Sequence, residues 1–363
     1  MKIGILTFHH SRNYGAVLQA YGLKEVLCKL NHQVNVIDYR NKAIDKRKRL
    51  FTLERLINNP LRFIKQFLNI YISYKKRKDN FIRFEKKELN LTDRIFQPKD
   101  ILESDYDAII IGSDQVWSPI ITDGPDPVYW GAFHPKDALL IAYAVSSNRI
   151  ETLETKDFVD VCEWLERFDS ISVRESRLKD YVETHSSKKA ELVIDPTLLA
   201  GRELFERIVA PRIIKSPYIL LYHVETTPSL MSIARKVAAL YGAEIICIGT
   251  NSLVRQITHK KEIRYYNASV EELLSLIKYS ECVVALSFHG TALSLLFEKD
   301  FYSVKGNNMA RVEAVLKECN LMNRVVENES DVIKEHIDYA EPNAQLAAMR
   351  QQSLAWLKNA LHK

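Results

Sequence analysis

Short runs of β-branched and aliphatic residues alternate with amphipathic stretches along most of this 363-residue chain. No other feature restricts the fold so much. The runs predict strands over residues 2–8, 34–39, 107–112, 139–145, 170–173 and 191–194, with helices over 15–30 and 155–168. Strands separated by helices cannot pair as hairpins; they form a largely parallel sheet covered on both faces. The pattern restarts after Pro211 and Pro217, with strands predicted over 218–224, 244–249, 282–287 and 301–304 and helices over 229–241, 270–279, 291–298 and 311–319. Two doubly wound domains facing each other across a cleft are therefore expected: residues 1–210, residues 211–340, and a last helix in 341–363 that could pack back on the first domain. A chain of this length suffices for two domains with their own cores.

One segment breaks the alternation. Between residues 41 and 90 there are fifteen Lys and Arg against five Asp and Glu, so the rest of a chain of net charge +5 is acidic. Leu61, Ile64, Phe67, Leu68, Tyr71 and Tyr74 recur there at helical spacing. A basic helical insertion over about 45–90 in the first domain follows. Its plain reading is a solvated face; its functional reading is a docking surface for an anionic membrane or a lipid diphosphate. Nucleic acid is disfavoured because no finger, ribonucleoprotein or helix-turn-helix signature accompanies the charge. The five cysteines lie far apart in apolar surroundings, which predicts buried thiols and no disulfide framework. With no signal-like start and no run of about 18 apolar residues, a cytoplasmic protein is expected, at most peripheral to the membrane.

Chemistry-bearing residues collect just after the predicted strands, where open α/β sheets bind ligands. Asn13-Tyr14-Gly15-Ala16 opens the first helix, with small residues and free N–H groups suited to an anion or simply to a tight turn. Gly112-Ser113-Asp114-Gln115-Val116-Trp117 presents a hydroxyl, a carboxylate, an amide and an indole in succession, although Asp114 is also suited to a helix cap. Ser172-Val173-Arg174-Glu175 offers a guanidinium that would hold a carboxylate or phosphate, or instead pair internally with Asp195 or Glu175. Ser287-Phe288-His289-Gly290-Thr291 would bring an imidazole, two hydroxyls and a helix start at Thr291 to one point, with Asn307, Asn308 and Arg311 after the next strand. No acidic or histidine cluster suggests a metal site.

In order along the chain, Asn13–Gln19, Gly112–Trp117, Ser172–Glu175, Val193-Ile194-Asp195-Pro196-Thr197-Leu198-Leu199 and Ser287–Thr291 resemble the motifs of the polysaccharide pyruvyl transferase family, over about residues 1–324. Two departures stand out: Ser146-Ser147-Asn148 replaces a Gly-rich turn, and Ala310 rather than Ser precedes Arg311. The resemblance implies two Rossmann-like domains of GT-B-like arrangement, phosphoenolpyruvate as donor and a sugar, often lipid- or nucleotide-linked, as acceptor. It implies donor binding by Arg174, Ser287, His289, Gly290, Thr291 and Arg311, and acceptor binding by Asn13, Tyr14, Gly15, Ser113, Gln115 and Trp117. Asp114, His289 and Glu175 are the expected acid–base groups, and no cofactor beyond the co-substrate is expected. A GT-B glycosyltransferase using a nucleotide sugar shares this architecture, and a non-enzymatic scaffold of glycan assembly is the remaining alternative.

Overall fold

The computed structural model describes residues 1–47, 60–97, 99–102, 105–133, 137–149, 159–223, 227–249, 262–265, 267–306 and 309–362. They form two compact units: Met1–Lys48 with Glu85–Gly201 and Asn343–Lys363, and Arg49–Phe84 with Arg202–Pro342.

The first unit is built on seven strands: β1 (Lys2–Leu6), β2 (Gln33–Tyr39), β3 (Leu91–Ile95), β4 (Ala108–Asp114), β5 (Leu139–Val145), β6 (Ser170–Val173) and β7 (Ala190–Leu192). Their order is β3-β2-β1-β4-β5-β6-β7, and every pairing is parallel. The centre is aliphatic because it is covered on both faces: Ile3, Ile5 and Leu6 on β1 and Ile109, Ile110 and Ile111 on β4 are fully buried. The helix Tyr14–Lys29 covers one face. Its Gly22 permits close packing, since a Cβ there would lie 2.8 Å from the Pro196 carbonyl oxygen.

The edge strand β3 escapes sequence reading. Leu-Thr-Asp-Arg-Ile carries no apolar run, because an edge strand remains half wet. The last helix, Ala340–Ala360, belongs to this unit from Asn343 onward. Ser353 Oγ accepts the Ile194 N–H at 3.1 Å, Arg350 Nε donates to the Leu198 carbonyl at 2.6 Å, and Leu346 and Leu357 are buried.

The second unit has β8 (Tyr218–His223), β9 (Glu244–Gly249), β10 (Glu262–Arg264), β11 (Cys282–Ala285), β12 (Asp300–Val304) and β13 (Val325–Val326). The order is β10-β9-β8-β11-β12-β13, again all parallel. Both sheets are therefore Rossmann-like. Each reverses its direction of growth once, between β1 and β4 in the first and between β8 and β11 in the second. Those are the two points where the connecting chains diverge and leave a crevice.

The basic segment that interrupts the first unit in sequence groups largely with the second unit in space. It contains the helix Pro60–Glu88, in which Phe81 and Phe84 are fully buried. Arg77 Nη1 donates to the Gly249 carbonyl at 2.6 Å and Asn80 Nδ2 to the Asn267 carbonyl at 2.8 Å. Lys75, Lys76, Lys78 and Arg83 are exposed. The side chains of Leu61, Ile64, Phe67, Leu68 and Tyr71 lie outside the described residues, as do Asn307, Asn308 and parts of the predicted elements at 155–168 and 218–224. Among the described residues no helix is long and apolar enough to cross a membrane.

Candidate active site

The first unit gathers polar groups at the carboxyl ends of β1, β4, β5 and β6. The chain leaves β4 in an unusual conformation: Gly112 has φ +114°, where a Cβ would run into the Tyr143 carbonyl oxygen, and Asp114 has φ +68°. Ala144, on the adjacent strand, is also left-handed at φ +50°. Such conformations in residues other than glycine each cost roughly 1–3 kcal/mol and concentrate where a side chain must be aimed. The half-buried Asp114 carboxylate lies 3.8 Å from Nη2 of Arg174, which follows β6.

Arg174 is itself buried, and its Nη1 donates to Oδ2 of Asp195. A guanidinium out of water needs such a partner, because an uncompensated charge there costs several kcal/mol. Asp195 Oδ1 accepts the Thr197 N–H at 2.8 Å, capping the short helix Pro196–Ala200. Ser113 Oγ lies 2.9 Å from the Ala144 carbonyl and 3.2 Å from Asp195 Oδ2. Glu175, next in sequence, accepts a hydrogen bond from Ser146 Oγ. Asp114, Ser113, Arg174 and Asp195 thus form one network, and Glu175 adjoins it in sequence.

The remaining first-unit positions serve the scaffold in visible ways. Asn13 Oδ1 accepts the Gly15 N–H at 2.9 Å and caps the first helix, and Tyr14 is fully buried. Trp117 has no exposed surface: its Nε1 donates to the Tyr129 carbonyl at 2.8 Å and its ring stacks on Trp130. It fixes the loop after β4 from below. Gln115 is half-buried beside Asp114.

In the second unit the helix after β11 begins at Phe288, three residues before the predicted start at Thr291. Ser287 is its cap, accepting the Gly290 N–H at 3.1 Å, so His289 sits in the first turn instead of ahead of the helix. The hydroxyl of Thr291 lies 2.6 Å from that of Ser303 on β12. Both hydroxyls of this motif are therefore engaged within the unit. Gly290 is needed for packing, since a Cβ would lie 2.6 Å from Tyr222 Cδ1 and 2.8 Å from Ala285 Cβ. His289 and Arg311 are buried, and Phe288 lies beside each of them. Its ring centroid is 5.2 Å from that of His289 and 5.9 Å from the Arg311 guanidinium carbon. Among the described residues no group of three or more His, Cys, Asp or Glu is arranged to hold a metal ion.

The family model for polysaccharide pyruvyl transferase matches residues 13–308, which contain every element of both networks except Arg311. The chain belongs to this family. No curated protein matches it by sequence. Among solved structures it is similar to a UDP-GlcNAc 2-epimerase from Neisseria meningitidis bound to UDP-GlcNAc, at 9% identity and TM-score 0.52 over 99% of this chain and 94% of that one. It is also similar to a UDP-N-acetylglucosamine 2-epimerase from Rickettsia bellii, at 10% identity and TM-score 0.53 over 99% and 96%. At such identities the likeness is one of fold, and it spans both Rossmann-like units. As a member of a transferase family, this polysaccharide pyruvyl transferase homologue carries the expected site residues in two sets, Asp114, Arg174 and Glu175 in one unit and His289 and Arg311 in the other.

Sequence reasoning passed over a further cluster in this family member. His9, fully buried after β1, places Nδ1 3.2 Å from the Thr7 carbonyl and Nε2 3.0 Å from Asp38 Oδ1 at the end of β2. Arg40 Nη2 donates to Asp38 Oδ2 at 2.9 Å. Burial pulls the His9 imidazole below its ordinary range while Asp38 draws it back up. For Asp38, burial works upward, but hydrogen bonds from His9 and Arg40 outweigh it and hold the carboxyl at about 2. His223, the last residue of β8, is likewise buried at the second crevice. The signal that could have found both is position alone: each histidine sits at or just past the end of a switch-point strand.

Proposed function

We propose that this protein transfers the pyruvyl carbons of phosphoenolpyruvate to a sugar of a surface-polysaccharide precursor, forming a cyclic ketal and releasing phosphate. The observation that carries the reading, beside family membership, is the pairing of buried His289 and buried Arg311 about Phe288 at the start of a helix. A dianionic phosphate next to a carboxylate calls for cationic and N–H donors held in place, and a helix start supplies the second kind. Ser287, Gly290 and Thr291 hold that helix start against the sheet, which makes them donor-site residues through the backbone they position.

Phosphoenolpyruvate is protonated at its vinyl C3, with His289 as the proton donor, and C2 becomes cationic. One sugar hydroxyl attacks C2 and gives its proton to Asp114. The C2–O bond to phosphate breaks, a second hydroxyl attacks the same carbon, and its proton leaves with phosphate. General acid and general base contribute roughly 10²–10⁴-fold each. Glu175, held by Ser146, is the second carboxylate able to take a hydroxyl proton. Gln115, Ser113 and the backbone at Asn13–Gly15 line the acceptor side. Every step draws on the donor's own reactivity and on protein groups, so the scheme calls on no metal or further cofactor.

The acceptor is proposed to be lipid-diphosphate-linked, met at the inner face of the membrane by a cytoplasmic protein. Lys75, Lys76, Lys78 and Arg83 are exposed on the helix whose opposite face buries Phe81 and Phe84, and each such cation is worth about 1 kcal/mol near an anionic surface. The deciding measurement is phosphate release from phosphoenolpyruvate by the purified protein with a panel of lipid-diphosphate sugars. Acceptor-dependent release with a product heavier by a pyruvyl ketal is expected. Turnover of a nucleotide sugar, with phosphoenolpyruvate inert, would replace the reading by glycosyl transfer.

A further inference from the structure

The Asp195 carboxylate does more than a helix cap requires. A cap uses one acceptor, and Oδ1 fills that role at the Thr197 N–H, 2.8 Å away. Oδ2 is turned the other way, where it accepts from Arg174 Nη1 and lies 3.2 Å from Ser113 Oγ. The side chain has no exposed surface. Its two neighbours are the residue that precedes Asp114 in the chain and the cation that faces Asp114 in space, 3.8 Å from its carboxylate.

We infer that Asp195 is a positioning residue for Asp114, acting through Arg174. The inference rests on the assignment of Asp114 as the acceptor base. Coulombic attraction to a guanidinium at this range stabilises a carboxylate and lowers its basicity, by 1–3 pKa units where the cation is not otherwise neutralised. A base so weakened would take a hydroxyl proton poorly. Asp195 shares the Arg174 charge, and its hydrogen bond holds one nitrogen of the fork while the other lies 3.8 Å from the Asp114 carboxylate. Arg174 is thereby held facing the Asp114 carboxylate. Of the other charged groups nearby, Glu175 follows Arg174 and is turned toward Ser146 Oγ.

The test replaces Asp195→Asn, which keeps an oxygen for the Thr197 N–H and nearly the same volume while removing the charge. The Asp114 carboxyl is titrated by carbon-13 NMR, its signal identified by loss in Asp114→Asn. In D195N the Asp114 midpoint is expected to fall by about one unit as Arg174 turns its full charge to it. For pyruvyl transfer, kcat is expected to drop tenfold or more while KM for phosphoenolpyruvate stays within about twofold, and the acid limb of kcat/KM is expected to move with the midpoint. A cap with no further role would leave the midpoint and the pH profile where they were, and that result overturns the inference. Should the Asn variant fail to fold, Asp195→Ser, whose hydroxyl still caps the Thr197 N–H, carries the same test in the same direction. An unmoved Asp114 midpoint in that variant again overturns the inference. The titration needs no substrate. A shifted midpoint in a protein whose wild type transfers no pyruvyl group therefore upholds the positioning and overturns the assigned reaction instead.

Discussion

The indole of Trp117 stacks on that of Trp130 with ring centroids 4.5 Å apart and planes 10° from parallel. Phe168 closes the stack edge-on at 5.7 Å from Trp117. The loop that presents Asp114 thus stands on an aromatic floor within the core of the first unit. Replacing Trp117→Ala should cost about 3–5 kcal/mol, the range for deleting a large buried aromatic. Chemical denaturation checks this directly, and Trp117→Phe should recover a good part of the loss. If Trp117 were an acceptor contact, the Ala variant would instead keep its stability and raise KM for the sugar.

Gly290→Ala forces a methyl to 2.6 Å from the Tyr222 ring and 2.8 Å from Ala285 Cβ. The helix bearing His289 must then lift from β8 and β11. A loss of about 1–3 kcal/mol is expected, as for other overpacked interiors, together with weaker phosphoenolpyruvate binding. Thermal unfolding and a binding isotherm measured on one preparation distinguish the two effects.

Ser287→Ala removes the acceptor at the head of that helix and should cost about 1 kcal/mol, with Ser287→Gly less damaging. A Tm series over the three proteins reads the order. Equal values for Ala and wild type would show that the Gly290 N–H finds another acceptor.

His289→Ala is expected to abolish turnover, by 10²-fold or more, while its thermal midpoint remains close to that of the wild type. Wild-type turnover in this variant would remove the imidazole from the chemistry.

The Asp38 carboxyl, although burial pushes it up, is held at about 2 by its bonds to His9 and Arg40. The unfolded chain takes up that proton near pH 3.9. Between those values the unfolded state binds more protons than the folded one, so the Asp38 contribution is complete above about pH 4 and is lost as pH falls toward 2. His9, lowered by burial, acts in the same direction at higher pH: its contribution is present above its ordinary value near 6.5 and fades as the solution is acidified. Asp38→Asn should therefore flatten stability against pH in the lowest window, read from urea midpoints between pH 2 and 5.

What could be read from the sequence follows the physics of each element. Buried parallel strands announce themselves, so residues 139–145, 170–173 and 244–249 were predicted with the bounds the structure shows. Strands β3, β10 and β13 were not: Leu91–Ile95 is polar at a wet edge, and Glu262–Arg264 and Val325–Val326 are too short to show a period. The site followed the same rule. Asp114 and His289 stand out because polar groups follow long apolar runs. Trp117 looks equally prominent in the string, yet an indole can end a strand motif by turning inward. The Arg174–Asp195 pair is one of the alternatives the sequence offers, whereas only tertiary structure shows Ser113 meeting the same oxygen of Asp195. His9 and Asp38, 29 positions apart, carry no shared local pattern.

The first unit is assembled from three separated stretches, the last of which begins at Asn343. On the ribosome, domains usually fold as they emerge, amino-terminal ones first. Here the amino-terminal unit cannot be completed in that order. The N–H of Ile194 waits for Ser353, and the carbonyl of Leu198 waits for Arg350. A nonsense codon shortly before residue 343 would spare every motif of the family and still leave the segment around Asp195 without its partner helix. Nascent chains would then hold an unfinished first unit until the stretch beyond residue 343 has emerged, a long interval in which chaperones have something to grip.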